Sequence, residues 1–201
     1  MPMRHLARFL VVACLSATSL SPKGEFSDVA TARAASPFFE TLNPAAFSSS
    51  VVGSWTGSLE YRDFQNDKRV TLPTTLEVTP TTDQSAVQFA YTYDDGPGKI
   101  VKEKALIRVP ATGDQYIVKE EDGSETVYQI TTATGFSGSE GGRLVLNGPG
   151  TENKKVVEVR TTLEITPTSL NILRETRLPG EDFKFRHQYK FQRSPASAGK
   201  P

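Results

Sequence analysis

Apolar and polar positions alternate along most of the chain beyond residue 50. In Gly53–Arg62, Trp55, Leu59 and Tyr61 fall on one face with Gly53 and Gly57, and Ser54, Thr56, Ser58, Glu60 and Arg62 fall on the other. A period of two predicts a half-buried strand. The two glycines beside the only Trp suit a coiled strand, or one that another element crosses closely. Val70, Leu72, Thr74, Leu76 and Val78 repeat the pattern; Pro73 inside that run predicts an edge or a bulge, and Pro80 ends it. Val87, Phe89, Tyr91 and Tyr93 make the apolar side of a third strand, before the turn Asp94-Asp95-Gly96-Pro97-Gly98. Residues 100–109 predict a fourth strand, stopped by Pro110.

Residues 116–119 and 126–131 flank Glu120-Glu121-Asp122-Gly123-Ser124, where Asp-Gly signals a hairpin. The Gly- and Ser-rich residues 134–142 predict a mobile loop. Residues 143–146 predict a short strand before the turn Asn147-Gly148-Pro149-Gly150. Residues 155–166 predict a long strand with Val157, Val159, Leu163 and Ile165 on one face. Residues 169–177 and 182–193 complete the set, joined through Leu178-Pro179-Gly180. Upstream, Asn43-Pro44 reads as an N-cap followed by Pro at the first helical position, so a short helix is expected there. Phe38, Phe39, Leu42 and Phe47 around it have the composition of a plug for one end of a barrel. The fold class is all-β: an antiparallel up-and-down β-barrel of about 8–10 strands with a short N-terminal helix, with a β-sandwich as the alternative. Thr74-Thr75-Leu76-Glu77-Val78-Thr79-Pro80-Thr81 recurs as Thr161-Thr162-Leu163-Glu164-Ile165-Thr166-Pro167-Thr168, seven of eight positions being identical. A duplicated half-barrel should keep its period, and the flanks do not match; two strands ending in the same Thr-Pro turn account for the echo.

The 201 residues suit one domain with tails. Lys plus Arg equals Asp plus Glu at 23 each, which leaves no basic field for nucleic acid. Arg4, His5 and Arg8 precede a short apolar run, residues 9–20, that is too short to span a bilayer and fits a signal peptide, with Ala32-Arg33-Ala34 as a cleavage site. The expected organisation is a signal over 1–34, a lead-in over 35–50, the barrel over 51–193 and a disordered tail over 194–201. The expected location is secreted or periplasmic. Cys14 loosely resembles a lipoprotein-box cysteine, but the apolar stretch before it is too short. After cleavage no Cys remains, which excludes a disulfide, a thiol nucleophile or a thiolate metal site.

No catalytic signature is present: no nucleophile elbow, phosphate loop or dinucleotide fingerprint. His187 is the single imidazole outside the signal, so a His-based zinc site lacks partners. Alternation places Phe183, Phe185, His187, Tyr189 and Phe191 on the inward face and Lys184, Arg186, Gln188, Lys190 and Gln192 on the outward one. Tyr61, Tyr91, Tyr93 and Tyr128 offer hydroxyls on apolar bodies, which in a cavity would fix a ligand's orientation; as core and rim residues they need no ligand. Glu77 and Glu164 fall on the polar face, and Asp94, Asp95, Glu120, Glu121 and Asp122 read as solvated turn residues without calcium-loop spacing.

Gly53-Ser54-Trp55 at the head of the first strand resembles the opening motif of the calycin group, which includes lipocalins, fatty-acid-binding proteins and nitrobindin-like barrels. In that group an Arg or Lys near the end of the last strand packs over the Trp. The resemblance therefore implies a structural pair of Trp55 with Arg193. Nitrobindin-like barrels hold haem through a His late in the chain, so the resemblance also makes His187 a haem candidate; otherwise no cofactor and no metal are expected. The leading expectation is an exported barrel that binds a small, partly apolar ligand in an interior of about 300–1,000 Å³. Trp55, Tyr61, Tyr91, Tyr93, His187 and Tyr189 are its candidate ligand-binding residues. The alternative is a non-enzymatic envelope or interaction protein with a filled barrel, and an enzyme has the least support.

Overall fold

The computed structural model describes residues 41–63, 67–82 and 86–195. The expectations for the signal segment, Cys14, Phe38, Phe39 and residues 196–201 lie outside them. A helix α1 (Pro44–Val51) precedes ten strands: β1 (Gly53–Arg62), β2 (Arg69–Pro80), β3 (Ala86–Asp94), β4 (Ile100–Arg108), β5 (Gln115–Glu120), β6 (Glu125–Gly135), β7 (Gly142–Glu152), β8 (Lys155–Ile165), β9 (Ser169–Arg177) and β10 (Lys184–Arg193). Each strand pairs antiparallel with the next, and β1 pairs with β10, so the sheet closes on itself. This is the up-and-down barrel, not the sandwich. Closure satisfies the backbone groups that an open sheet leaves at its two edges.

Burial follows the alternation of the sequence. In β2, Thr74, Leu76 and Val78 are buried between exposed Pro73, Thr75, Glu77 and Thr79. Phe89, Leu144, Leu163, Leu170 and Phe191 are among the residues that fill the barrel from other strands. Pro73 sits at a local edge, as its lack of an N–H requires. It pairs with Ser58 of β1, but the β2–β3 register begins only at Thr74.

The helix closes one end. Asn43 caps it, its Oδ1 accepting from the Ala45 and Ala46 amides at 2.9 and 3.2 Å, and Pro44 follows where no N–H is needed. The helix buries Ala46, Phe47, Ser50 and Val51. Phe47 meets Tyr116 edge-on at 5.7 Å and Phe136 at 6.3 Å. The Trp55 indole donates to the Val51 carbonyl at 2.8 Å. Over the indole lies Arg193, its guanidinium carbon 4.0 Å from the ring centroid. That guanidinium also donates to the carbonyls of Ser50, Val52 and Pro167 at 2.6–2.7 Å. One side chain thus joins the helix, β1 and the β8–β9 turn. Gly57 lets β10 approach β1 closely here: a Cβ would lie 1.9 Å from the Lys190 carbonyl oxygen.

Three sequence expectations are corrected. Asn147-Gly148-Pro149-Gly150 is no turn; it runs through β7, paired with β8 from Gly142 to Glu152. Its turn-like composition has a packing cause. A Cβ on Gly148 would sit 2.5 Å from the Tyr128 ring and one on Gly150 2.5 Å from Val159, while Pro149 lies beyond the last β6–β7 pair. The loop expected over 134–142 shrinks to six residues between β6 and β7, and its Phe136 is buried against Phe47, with its amide bonded to the Gly141 carbonyl. In β10 a bulge between Phe185 and His187 breaks the alternation. An extra residue reverses parity, so Arg186 is buried beside His187. Phe185 lies beneath the exposed Arg69 guanidinium, and Phe183, ahead of the strand, beneath those of Arg160 and Arg177.

Candidate functional site

Residues of β3 through β10 line a partly open cavity of about 110 Å³. Alternation in β3 turns Phe89 and Tyr91 into it; in β5 it turns Tyr116, Val118 and Glu120; in β10 it turns His187 and Tyr189. Glu103 of β4, Tyr128 of β6 and Arg174 of β9 also line it. The β4–β5 ladder ends at Ala105 opposite Glu120, and Ile100 to Lys104 pair with β3 alone. Exposed Lys104 lines the cavity beside that gap in the ladder.

The walls are aromatic. Tyr91 stacks on Tyr93 at 5.9 Å and 7° and lies 5.2 Å from Tyr189. His187 meets Tyr189 edge-on at 5.4 Å. The Tyr93 and Tyr189 hydroxyls share a hydrogen bond of 3.0 Å, and Tyr93 donates to Glu103 at 3.3 Å. Burial raises the phenols of Tyr91, Tyr93, Tyr116 and Tyr189, so all four stay neutral donors.

Three ionisable side chains of the wall are shifted by their surroundings. Burial raises the Glu103 carboxyl, although the bond from Tyr93 opposes the shift. Burial, then Glu103 and Asp122, push Glu120 up to about 7, against the pull of Arg174. Burial and the Arg174 and Arg186 guanidinia hold His187 well below its ordinary value, so it stands as a neutral imidazole. The Arg174 guanidinium carbon is 5.8 Å from the Tyr128 ring. No group of three or more His, Cys, Asp and Glu among the described residues is placed to hold a metal ion.

Of the six sequence candidates, Tyr91, His187 and Tyr189 line the cavity. Tyr93 stands one hydrogen bond behind Tyr189. Tyr61 pairs across the β1–β10 seam with His187 but does not reach the cavity. Trp55, 1% exposed, belongs to the closed end with Arg193. Sequence reading missed Glu103, Glu120 and Arg174. Glu120 was assigned to a solvated turn; it ends β5 and points inward, as its spacing from Tyr116 and Val118 demands. Two larger hollows of about 380 and 350 Å³ are also present, and the second shares Tyr91, Glu103 and Lys104 with the cavity. In the first, Arg62 pairs with Asp67, Arg186 with Glu152 and Lys184 with Glu181.

No protein-family model matches this sequence, and no curated protein matches it. Solved structures that resemble the fold include two of known origin. One is Rv2717c from M. tuberculosis, with 16% identity and a TM-score of 0.54, covering 77% of this chain and 99% of that one. The other is the S-type phycobiliprotein lyase CpeS from Guillardia theta, with 8% identity and a TM-score of 0.51, covering 75% of this chain and 92% of that one. At such identities the likeness speaks for architecture alone: this chain is a closed ten-strand antiparallel barrel of a kind already seen in these two proteins.

Proposed function

We propose that this protein is an exported, calycin-like β-barrel that holds a small, partly apolar molecule inside. One observation carries the reading: the interior is not filled. It keeps a cavity of about 110 Å³ whose walls combine tyrosine rings with the polar ends of Glu120, Arg174 and His187. A barrel stabilised only by packing would fill that space with side chains. Pockets for drug-sized ligands span about 300–1,000 Å³, so the ligand here is compact. A phycobiliprotein lyase has a similar fold, but barrels host unrelated functions, and the proposal rests on the cavity. Haem is not part of this proposal: the space of about 110 Å³ beside His187 and the Tyr189 edge against its imidazole favour a smaller ligand.

The interaction-protein reading calls for an exposed apolar patch. The exposed large hydrophobics among the described residues are Ile100, Val127 and Val156, on β4, β6 and β8, which are not neighbours in the barrel.

Native mass spectrometry of the protein purified from its own host, with a visible absorption scan of the same sample, tests the proposal. A stoichiometric small-molecule adduct is expected, together with an N-terminus beginning near residue 35. A clean apo mass, with no binding across a library of small aromatic and amine compounds, would remove the ligand. An intact residue 1 in the cytosolic fraction would remove export.

A further inference from the structure

The cavity holds opposite charges that do not meet. The side chains of Glu120 on β5 and Arg174 on β9 line the same space, close enough that Arg174 acts on the carboxyl. Neither side chain makes a hydrogen bond or an ion pair with another described residue. Holding two partly buried, unpaired charges apart costs stability, and a group set between them recovers it. His187 supplies an independent sign. Its side chain is 8% exposed, lines the cavity, and has no hydrogen-bond partner among the described residues, only the edge of Tyr189. A neutral imidazole has one donor and one acceptor to satisfy.

We propose that the cavity binds a compact zwitterion, its cationic nitrogen toward Glu120 and Glu103 and its anionic oxygens toward Arg174. This deepens, and rests on, the interior-binding reading above. The two carboxylates sit on adjacent strands beside the gap in the β4–β5 ladder, and the tyrosine faces nearby attract a cationic nitrogen as well. Arg174 stands on β9, outside that strand pair, where a planar guanidinium receives a carboxylate through two parallel bonds. Size sets the upper limit. About 110 Å³ lies well below the roughly 300–1,000 Å³ of drug-sized pockets, which suits a small amino acid or betaine.

Titration calorimetry of the ligand-free full barrel near about pH 8, where the Glu120 carboxyl is ionised, tests this with five probes: glycine, glycine betaine, acetate, tetramethylammonium and phenol. A zwitterion is expected to bind at least about tenfold more tightly than acetate or tetramethylammonium, because each half-ligand leaves one charge unmet. Glu120→Gln and Arg174→Lys should each weaken the zwitterion by about tenfold or more, with circular dichroism unchanged. Glu120→Gln neutralises a strained carboxyl, so its folding is not in question and it keeps the test decisive. Equal binding of zwitterion and half-ligands, or an unchanged affinity in Glu120→Gln, overturns the inference. Binding of phenol alone overturns it too, while leaving the interior-binding reading intact; binding of none of the five also overturns it, and the interior-binding reading falls with it only when the host-purified protein shows a clean apo mass as well.

Discussion

Replacing Glu120 by Gln should stabilise the ligand-free protein increasingly as pH rises above about 4.5, and in full above about 7. The carboxyl rises from an ordinary 4.5 to about 7, because burial and then the Glu103 and Asp122 charges penalise its ionised form. At ~1.36 kcal/mol per pH unit, a shift of that size corresponds to ~3.4 kcal/mol. Glu120 is only partly buried, and solvent screening reduces the figure to about 1–2 kcal/mol. The direction follows from proton uptake. In the unfolded chain the carboxyl ionises near 4.5; in the barrel it keeps its proton until about 7. Preferential protonation of the folded state therefore adds stability that is fully present below about pH 4.5 and is lost as pH rises through about 7. Gln imitates the protonated form at every pH. Urea unfolding followed by Trp55 fluorescence should find the two proteins equal near about pH 4 and the variant more stable by about 1–2 kcal/mol near about pH 8. A difference that is independent of pH, or a wild type that gains stability on the alkaline side, would refute the placement of Glu120 inside the barrel.

Two further substitutions address the closed end. Arg193→Ala removes the contact with Trp55 and three bonds to carbonyls; a loss of about 2–4 kcal/mol in urea unfolding is expected, with a red shift of Trp55 emission, and a change below about 0.5 kcal/mol would show that the latch is ornamental. Gly57→Ala drives a Cβ into the Lys190 carbonyl; a cost of about 3 kcal/mol or more is expected from forcing the β1–β10 seam apart, and a midpoint equal to wild type would mean that the strands do not approach as described.

The fold was legible wherever one face is dry and the other wet. Trp55, Leu59 and Tyr61 in β1 and Leu76 and Val78 in β2 had no competing pattern, and Asp122-Gly123 marked a true hairpin. Parity was the weak point. A single inserted residue at Arg186 carries no compositional mark, yet it reversed which side Phe185 and Phe183 take. Gly148 and Gly150 misled because close packing against Tyr128 and Val159 selects the same residue as a turn does. Half of the site was visible in the tyrosines and His187. The charged half was not, because Glu120 stands next to Glu121 and Asp122 and was read with them, and because Glu103 and Arg174 are charged residues in positions where charge is rarely buried.

The β1–β10 seam bears on how this chain reaches its fold. Thr56 and Ser194, 138 residues apart, are hydrogen-bonded across it, whereas every other seam joins neighbours in sequence. Hairpins from β2 to β9 can zip up one after another, but the last seam must wait until both ends of the sheet meet, at the entropic cost of a very long loop. Barrels with such distant pairings fold slowly. During that delay β1 and β10 are open, unpaired edges that attract other molecules at the same stage. Refolding yield should therefore fall with protein concentration, and a chain cut before Lys184, which lacks β10, would leave a sheet whose two edges pair with its neighbours.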